Sequence, residues 1–223
     1  MPVAQAFLCP VMQLHRFTFN PFQENTYLIS HSDGTCLIID PGCYTASEQL
    51  QLVQFISNEH LKPLAIVNTH AHIDHVLGLD YLRKYYEIPF YLHPLEADVL
   101  AWAPKSGHIW GFDMSEQDQP EYLLPDKGML NIGNFALEII FCPGHSPGSV
   151  CLLNSADSWL IGGDVLFKES IGRTDLPGGN HAQLMDSIKD KLFRLPESYT
   201  VYPGHGPETT LAHERLFNPF VGG

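Results

Sequence analysis

Four side chains that bind metal ions in many proteins occur within six residues, in the segment Thr-His-Ala-His-Ile-Asp-His at 69–75. The segment follows the apolar run 64–67, which predicts a buried strand. His70 and His72 can point to the same side if the backbone stays extended. Asp74 and His75 then turn onto the next helix and can face a second centre. A solvated polar loop would account for one such histidine pair, but the full H-x-H-x-D-H pattern indicates a metal site.

Three further candidate ligands lie far along the chain, each at the end of a predicted strand. His145 lies in Cys-Pro-Gly-His-Ser-Pro, Asp164 ends Trp-Leu-Ile-Gly-Gly-Asp, and His205 lies in Tyr-Pro-Gly-His-Gly-Pro. Each alone is typical of a turn. Together with the segment at 69–75, they can be gathered at one rim of a fold.

The combined set has five imidazoles and two carboxylates, which suits zinc, iron or manganese. Seven ligands exceed one tetrahedral site, so the set predicts two divalent metal ions that share a bridging ligand and leave positions open for water. Zinc is favoured, with iron and manganese as alternatives. Two such cations would lower the pKa of a bridging water toward neutrality and supply hydroxide at pH 7.

Composition narrows the class of protein. The chain has 223 residues, of which 44% are hydrophobic and 17% charged, which excludes a disordered or fibrous protein. The formal charge of −13 argues against nucleic acid and anionic membrane partners. Five cysteines without a C-x-x-C pair indicate free thiols, and the N-terminus has no basic leader pattern. We therefore expect a cytoplasmic protein that acts on a small molecule, and make no prediction of oligomeric state.

Apolar strand patterns alternate with helical patterns in both halves of the chain, which predicts a mixed α/β (α+β) sandwich of sheets covered by helices. Thr45 and Glu48 form a capping-box pattern before a helix that carries Leu50, Val53 and Ile56 on one face. Residues 103–127 have no clean periodicity and predict a long loop, whose aromatic residues would pack on the core or cover the site. No low-complexity linker interrupts the chain, so we expect one domain over 1–223.

The strings described above resemble the metallo-β-lactamase superfamily, in the same order and over most of the chain. Within it, GGDVLFKESIGRTDLPGG, CPGHSPGS, YPGHGPETT and ERLFNPF are similar to short members of the glyoxalase II (hydroxyacylglutathione hydrolase) group. The resemblance implies a four-layer αββα sandwich. Longer glyoxalase II enzymes carry a C-terminal helical domain that grips glutathione, and this chain ends about 18 residues after His205, so we expect no such domain.

The resemblance also implies roles for the seven ligands. The first metal would be held by His70, His72 and His145. The second would be held by Asp74, His75 and His205, with Asp164 bridging both. The implied reaction is hydrolysis of a thioester such as S-lactoylglutathione to thiol and hydroxy acid, in which Asp74 would also steer a proton.

Three other residues are candidates for supporting roles. A metal-bound histidine usually donates its other N–H to an oxygen, and Asp40 or Thr69 could provide one. Asp40 is equally explained as a turn residue before Pro-Gly. Arg173 could meet a substrate carboxylate or pair with Asp175 to order its loop.

Rival functions share the same ligand pattern. A persulfide dioxygenase resembles this sequence through H-x-H-x-D-H and Gly-Arg-Thr-Asp, and would use one iron held by His70, His145 and Asp164. The Gly-His-Gly-Pro context of His205 favours the hydrolase. A lactonase or β-lactamase is a further alternative. A binding protein without catalytic activity is the last one, but such a protein would be expected to have lost some of the ligand residues, and all seven are present here.

Overall fold

The computed structural model describes residues 12–222, which form two six-stranded sheets and a short ribbon. The first sheet has its strands in chain order: β1 (Gln13–Phe19), β2 (Glu24–Ser30), β3 (Thr35–Ile39), β4 (Lys62–Val67), β5 (Phe90–Leu92) and β6 (Tyr122–Leu123). The later strands are β7 (Lys127–Ile132), β8 (Phe135–Phe141), β9 (Val150–Asn154), β10 (Trp159–Gly163), β11 (Leu166–Phe167), β12 (Ser170–Ile171), β13 (Thr200–Pro203) and β14 (Thr209–Thr210). The second sheet has the order β14-β13-β10-β9-β8-β7, and β11 pairs with β12 in the ribbon.

Within residues 12–222, five α-helices cover the sheets: α1 (Ala46–Asn58), α2 (Leu79–Tyr86), α3 (Ala97–Trp110), α4 (His181–Asp186) and α5 (Leu211–Phe217). Strands β3 to β6 run parallel, and parallel neighbours need crossover connections, which α1, α2 and α3 provide. In the second sheet, β10 and β13 pair in parallel, and α4 lies in their connection.

Alternating side chains place one core between the sheets and one on each outer face. On β2, Tyr27 and Ile29 pack between the sheets against residues such as Leu137, whereas Leu28 packs under the helices. Successive side chains of a strand point to opposite faces, so a sheet buried on both sides is apolar at nearly every position. The predicted αββα sandwich is confirmed.

Helix α1 begins as the sequence predicts, because Thr45 and Glu48 form both bonds of a capping box. The predicted buried face was wrong at Leu50, which is 52% exposed, while Leu52, Val53 and Ile56 are buried. Leu50, Val53 and Ile56 are three residues apart, and each three-residue step falls about 60° short of a full helical turn. The two steps together place Leu50 about 120° around the helix from Ile56.

The predicted long loop at 103–127 was also wrong over much of its length. Helix α3 continues to Trp110 with Pro104 inside it, and only 111–121 lacks regular structure before β6. Leu100 and Ala103 are buried in the core of the first sheet. Tertiary burial therefore outweighs the low helix propensity of Pro104 and Gly107.

Two expectations drawn from the composition concern the cysteines and the N-terminal segment. Within residues 12–222, the four cysteines are buried and form no disulfide. Cys9 and most of the N-terminal segment assessed for a leader lie outside the described residues. No helix in the described part of the chain is long and apolar enough to cross a membrane.

Candidate metal centre

All seven candidate ligands lie at the ends of strands, where both sheets contribute to one rim. His70 and His72 follow β4, and a 3₁₀ turn over Ile73–His75 carries Asp74 and His75. From the second sheet come His145 after β8, Asp164 after β10 and His205 after β13. Residues that are up to 135 positions apart therefore meet at one place.

The ligand atoms form two groups that share an aspartate. One ligand atom each from His70, His72 and His145 lies within 4.8 Å of the others, and the same holds for Asp74, His75 and His205. The carboxylate of Asp164 touches both groups. Its oxygens lie 3.5 Å from His145 Nε2, 3.4 Å from His75 Nε2 and 3.4 Å from His205 Nε2.

Hydrogen bonds behind the site fix the orientation of His70. The Thr69 hydroxyl donates to Asp40 Oδ2 at 2.6 Å and lies 3.1 Å from His70 Nδ1. Because the hydroxyl proton is used on Asp40, Nδ1–H of His70 must donate to Thr69 Oγ1. Nε2 of His70 is then left with a lone pair, the form that binds a metal ion.

Backbone carbonyls fix two further histidines in the same way. His145 Nδ1 lies 2.8 Å from the Arg173 carbonyl oxygen, and His205 Nδ1 lies 3.0 Å from the Phe22 carbonyl oxygen. A carbonyl can only accept, so each ring carries a proton on Nδ1 and presents Nε2 to the site, where Nε2 can bind a metal ion once its own proton is displaced.

Several polar atoms of the site are buried without a hydrogen-bond partner. They are His70 Nε2, His75 Nε2 and Asp164 Oδ1, whereas His75 Nδ1 lies 3.2 Å from Asp40 Oδ2 on the side away from the other ligands. A buried polar atom without a partner costs about 1–3 kcal/mol. Metal ions coordinated by the two groups would satisfy His70 Nε2, His75 Nε2 and Asp164 Oδ1, so the donor set fits divalent metal ions.

The two groups differ in charge. Burial lowers the pKa of His70 well below its usual range and that of His72 to about 3, so both rings are neutral ligands. Burial also disfavours the charged form of His75, but Asp74 and Asp164 outweigh it and raise its pKa. The same carboxylates overcome burial to raise the pKa of His205 to about 10. In the second group, the carboxylates of Asp74 and Asp164 therefore favour a positive charge beside them, which a metal cation would supply.

Glu96 joins the two loops that carry the first histidine group. Its buried Oε2 accepts from Ala71 N at 2.8 Å, between His70 and His72. Its Oε1 accepts from Ser146 Oγ at 2.5 Å and from Gly148 N at 2.6 Å, just after His145. Sequence reasoning missed Glu96, because an acidic residue in the first turn after Pro94 is typical of any helix start.

A cavity of about 380 Å³ opens over the ligands. Phe22, Trp110 and Leu176 contribute apolar walls. Phe112 does not face this cavity but packs on Tyr44 in a small core cluster. Arg173 lines the cavity, and its Nε and Nη2 each donate to Asp175 at 2.7 Å.

Comparison with known proteins identifies the family. Residues 19–205 match the metallo-β-lactamase superfamily domain, so the chain belongs to that superfamily. It is 45% identical over 214 residues to the probable metallo-hydrolase YqgX of Bacillus subtilis (strain 168), covering 95% of this chain and 99% of the relative. It is also 30% identical over 212 residues to the hydroxyacylglutathione hydrolase GloC of Haemophilus influenzae, covering 94% and 98%.

Solved structures agree with this membership. The B3 metallo-β-lactamase BLEG-1 has a TM-score of 0.87 at 38% identity, covering 95% of this chain and 100% of that one. TTHA1623 in a di-iron-bound form has a TM-score of 0.84 at 37% identity, covering 92% and 99%. The metallo-β-lactamase fold expected from the sequence resemblance is thereby confirmed.

Proposed function

We propose that this protein is a metal-dependent hydrolase that cleaves a thioester to a thiol and a carboxylic acid. The observation that carries the proposal is the pair of ligand groups bridged by Asp164, with the imidazole rings oriented by hydrogen bonds behind them. The name of the relative GloC supports a glutathione thioester as the first substrate to test. That relative is matched over almost its whole length.

Two metal ions would be held as the family resemblance implies. The first would be held by His70, His72 and His145. The second would be held by Asp74, His75 and His205, and Asp164 would reach both. When bound, such ions lower the pKa of coordinated water toward neutrality and polarise a carbonyl oxygen. Zinc remains our proposal, and the di-iron form of TTHA1623 keeps iron as the alternative.

The residues of this chain would orient the reactants and handle the proton. Asp74 lines the cavity, so its carboxylate can reach the attacking water and accept a proton from it. The apolar walls of the cavity give the substrate a surface to pack against. In the balanced reaction, water adds to the carbonyl carbon, the C–S bond breaks, and the proton passes to the leaving thiolate.

A second candidate is hydrolysis of a β-lactam or lactone ring. It is favoured by the likeness to BLEG-1, and the attack on a carbonyl carbon is the same. A one-iron persulfide dioxygenase is disfavoured, because Asp74, His75 and His205 would then form a ligand group without a role. Metal stoichiometry and oxygen uptake separate that reaction from hydrolysis.

The test is thiol release from S-lactoylglutathione by zinc-loaded protein. We expect about two metal ions per chain by mass spectrometry, and loss of turnover by more than about 100-fold in His72→Ala. His181→Ala is the matched control, since His181 is exposed on α4. Cleavage of a β-lactam but of no thioester would support the second candidate. Oxygen uptake with glutathione persulfide would overturn hydrolysis.

A further inference from the structure

A second, larger cavity continues from the metal centre along helix α3. Its volume is about 690 Å³, and it shares His72, Ile73, Ser106 and Leu176 with the cavity over the ligands. His72 is a ligand of the first group, so anything bound at the metal centre has a direct path into the second cavity. We call this second cavity the apolar groove, and its walls include Leu95, Val99, Trp102, Ala103, Pro147 and Pro177.

The walls of the groove include large apolar side chains that are exposed to solvent. Leu95 is 54% exposed and Trp102 is 50% exposed. Single exposed apolar residues are common, but here they line one concave surface beside a reactive site. Contiguous apolar surface of this kind is typical of ligand-binding grooves.

The charges around the groove do not suit an anionic ligand. Apart from His72, its only ionisable lining residue is Asp98, and the lining lies wholly within the described residues. Two positively charged side chains lie near the groove, and each already interacts with another side chain. Arg173 is held by Asp175, and Lys105 Nζ lies 4.1 Å from the ring centroid of Trp102.

We propose that the apolar groove binds an uncharged alkyl or aryl arm of the substrate, so that the preferred thioester carries one apolar arm. This proposal rests on the proposed function and specifies its substrate class. S-lactoylglutathione offers the groove only a short hydroxyacyl group or a charged tripeptide. It should therefore be a poorer substrate than an uncharged thioester with a longer arm.

The experiment measures kcat/KM for two thioester series on the metal-loaded full chain. One series lengthens the thiol arm of acetyl thioesters from ethyl to hexyl, and the other lengthens the acyl arm on a constant small thiol. A buried methylene contributes about 0.8 kcal/mol, which corresponds to about two- to fourfold per methylene in a half-open groove. We expect a rise of roughly 20- to 200-fold from ethyl to hexyl in one series, which identifies the arm that enters the groove.

Substitutions on and near α3 connect this dependence to the groove. Val99→Trp fills the groove and should flatten the length series. Leu95→Ser changes an exposed wall residue without disturbing the core, and should reduce the slope. The matched control is Ile109→Trp, because Ile109 is 72% exposed on the same helix and does not line the groove. This control should keep the full slope.

Thioether analogues, which cannot be hydrolysed, separate the two proposals. Their affinity, measured by calorimetry, should rise with arm length in the wild type and not in Val99→Trp. If short thioesters are cleaved but neither series nor the thioethers depend on length, the groove proposal is overturned and the hydrolase stands. If no thioester is cleaved while thioether affinity rises with length, the groove stands and the thioesterase is overturned.

Discussion

Replacing Glu96 by Gln should loosen the two histidine loops that form the first ligand group. Three donors converge on this carboxylate: Ala71 N, Gly148 N and Ser146 Oγ. Gln has one accepting oxygen and one donating NH₂ group. The Ser146 hydroxyl can turn to accept, but the two backbone N–H groups cannot. In either orientation of the amide, one buried N–H faces another donor.

The size of the effect follows from these contacts. An unsatisfied buried N–H costs about 1–3 kcal/mol, and loss of charge from the remaining bonds costs about 1 kcal/mol more. We therefore expect Glu96→Gln to lower the free energy of unfolding by about 2–4 kcal/mol. Burial raises the pKa of Glu96, partly offset by the bond from Ser146, so the comparison is made at pH 8 to favour the ionised carboxylate.

Urea unfolding of the metal-free protein measures this loss as a midpoint shift of about 1 M or more. Zinc affinity, measured by competition with a coloured chelator, should fall about 10- to 100-fold, as it does when groups behind metal ligands are removed. Glu138→Gln is the control, because Glu138 is exposed on β8. If Glu96→Gln unfolds at the same urea concentration as Glu138→Gln, the stability argument is refuted. A destabilised variant with unchanged zinc affinity refutes the positioning role.

Three further outcomes are expected. Thr69→Val, which breaks the link from His70 to Asp40, should weaken zinc binding about tenfold by chelator competition; unchanged affinity would contradict the link. Zinc at about 100 times its dissociation constant should raise Tm by about 5–10 °C in calorimetry, and a chelator should reverse this; an equal Tm would argue against a folded-state site. Partial burial alone would raise the pKa of Glu48, but the backbone N–H groups that donate to its carboxylate, that of Thr45 first, outweigh burial and lower the pKa. The stabilisation that the ionised carboxylate provides is present above the pKa of the unfolded state and is lost as the pH falls through the pKa of the folded state. After allowance for solvent screening, Glu48→Gln should cost about 0.5–1 kcal/mol in urea unfolding at pH 7, and the difference should shrink as the pH falls into the acid range where the carboxylate is protonated. A difference independent of pH would contradict this assignment.

Much of the ligand cluster could be predicted because its members follow strands. A buried apolar strand is visible in sequence as a short apolar run, and the residue after it must lie at a sheet edge. That reasoning applied to His145, Asp164 and His205 as well as to the segment at 69–75. The structure brings all of them to one rim.

The features that sequence reasoning missed depend on contacts between distant segments. Glu96 matters because it accepts from Ala71 N and Gly148 N, and backbone donors leave no signature in residue types. Helix α3 continues through Pro104 because its apolar side is buried under the first sheet. Local propensity carries no record of that burial.

The two sheets occupy separate stretches of the chain, and this order has a consequence during synthesis. Every strand of the first sheet precedes residue 124, and every strand of the second follows residue 126. When the first half leaves the ribosome, the inner face formed by Tyr27, Ile29 and their neighbours has no covering layer. At about 5–20 residues per second, roughly 5–20 s pass before the remaining hundred residues are made. The nascent chain is therefore most exposed to aggregation in that interval, and the metal centre can assemble only after it.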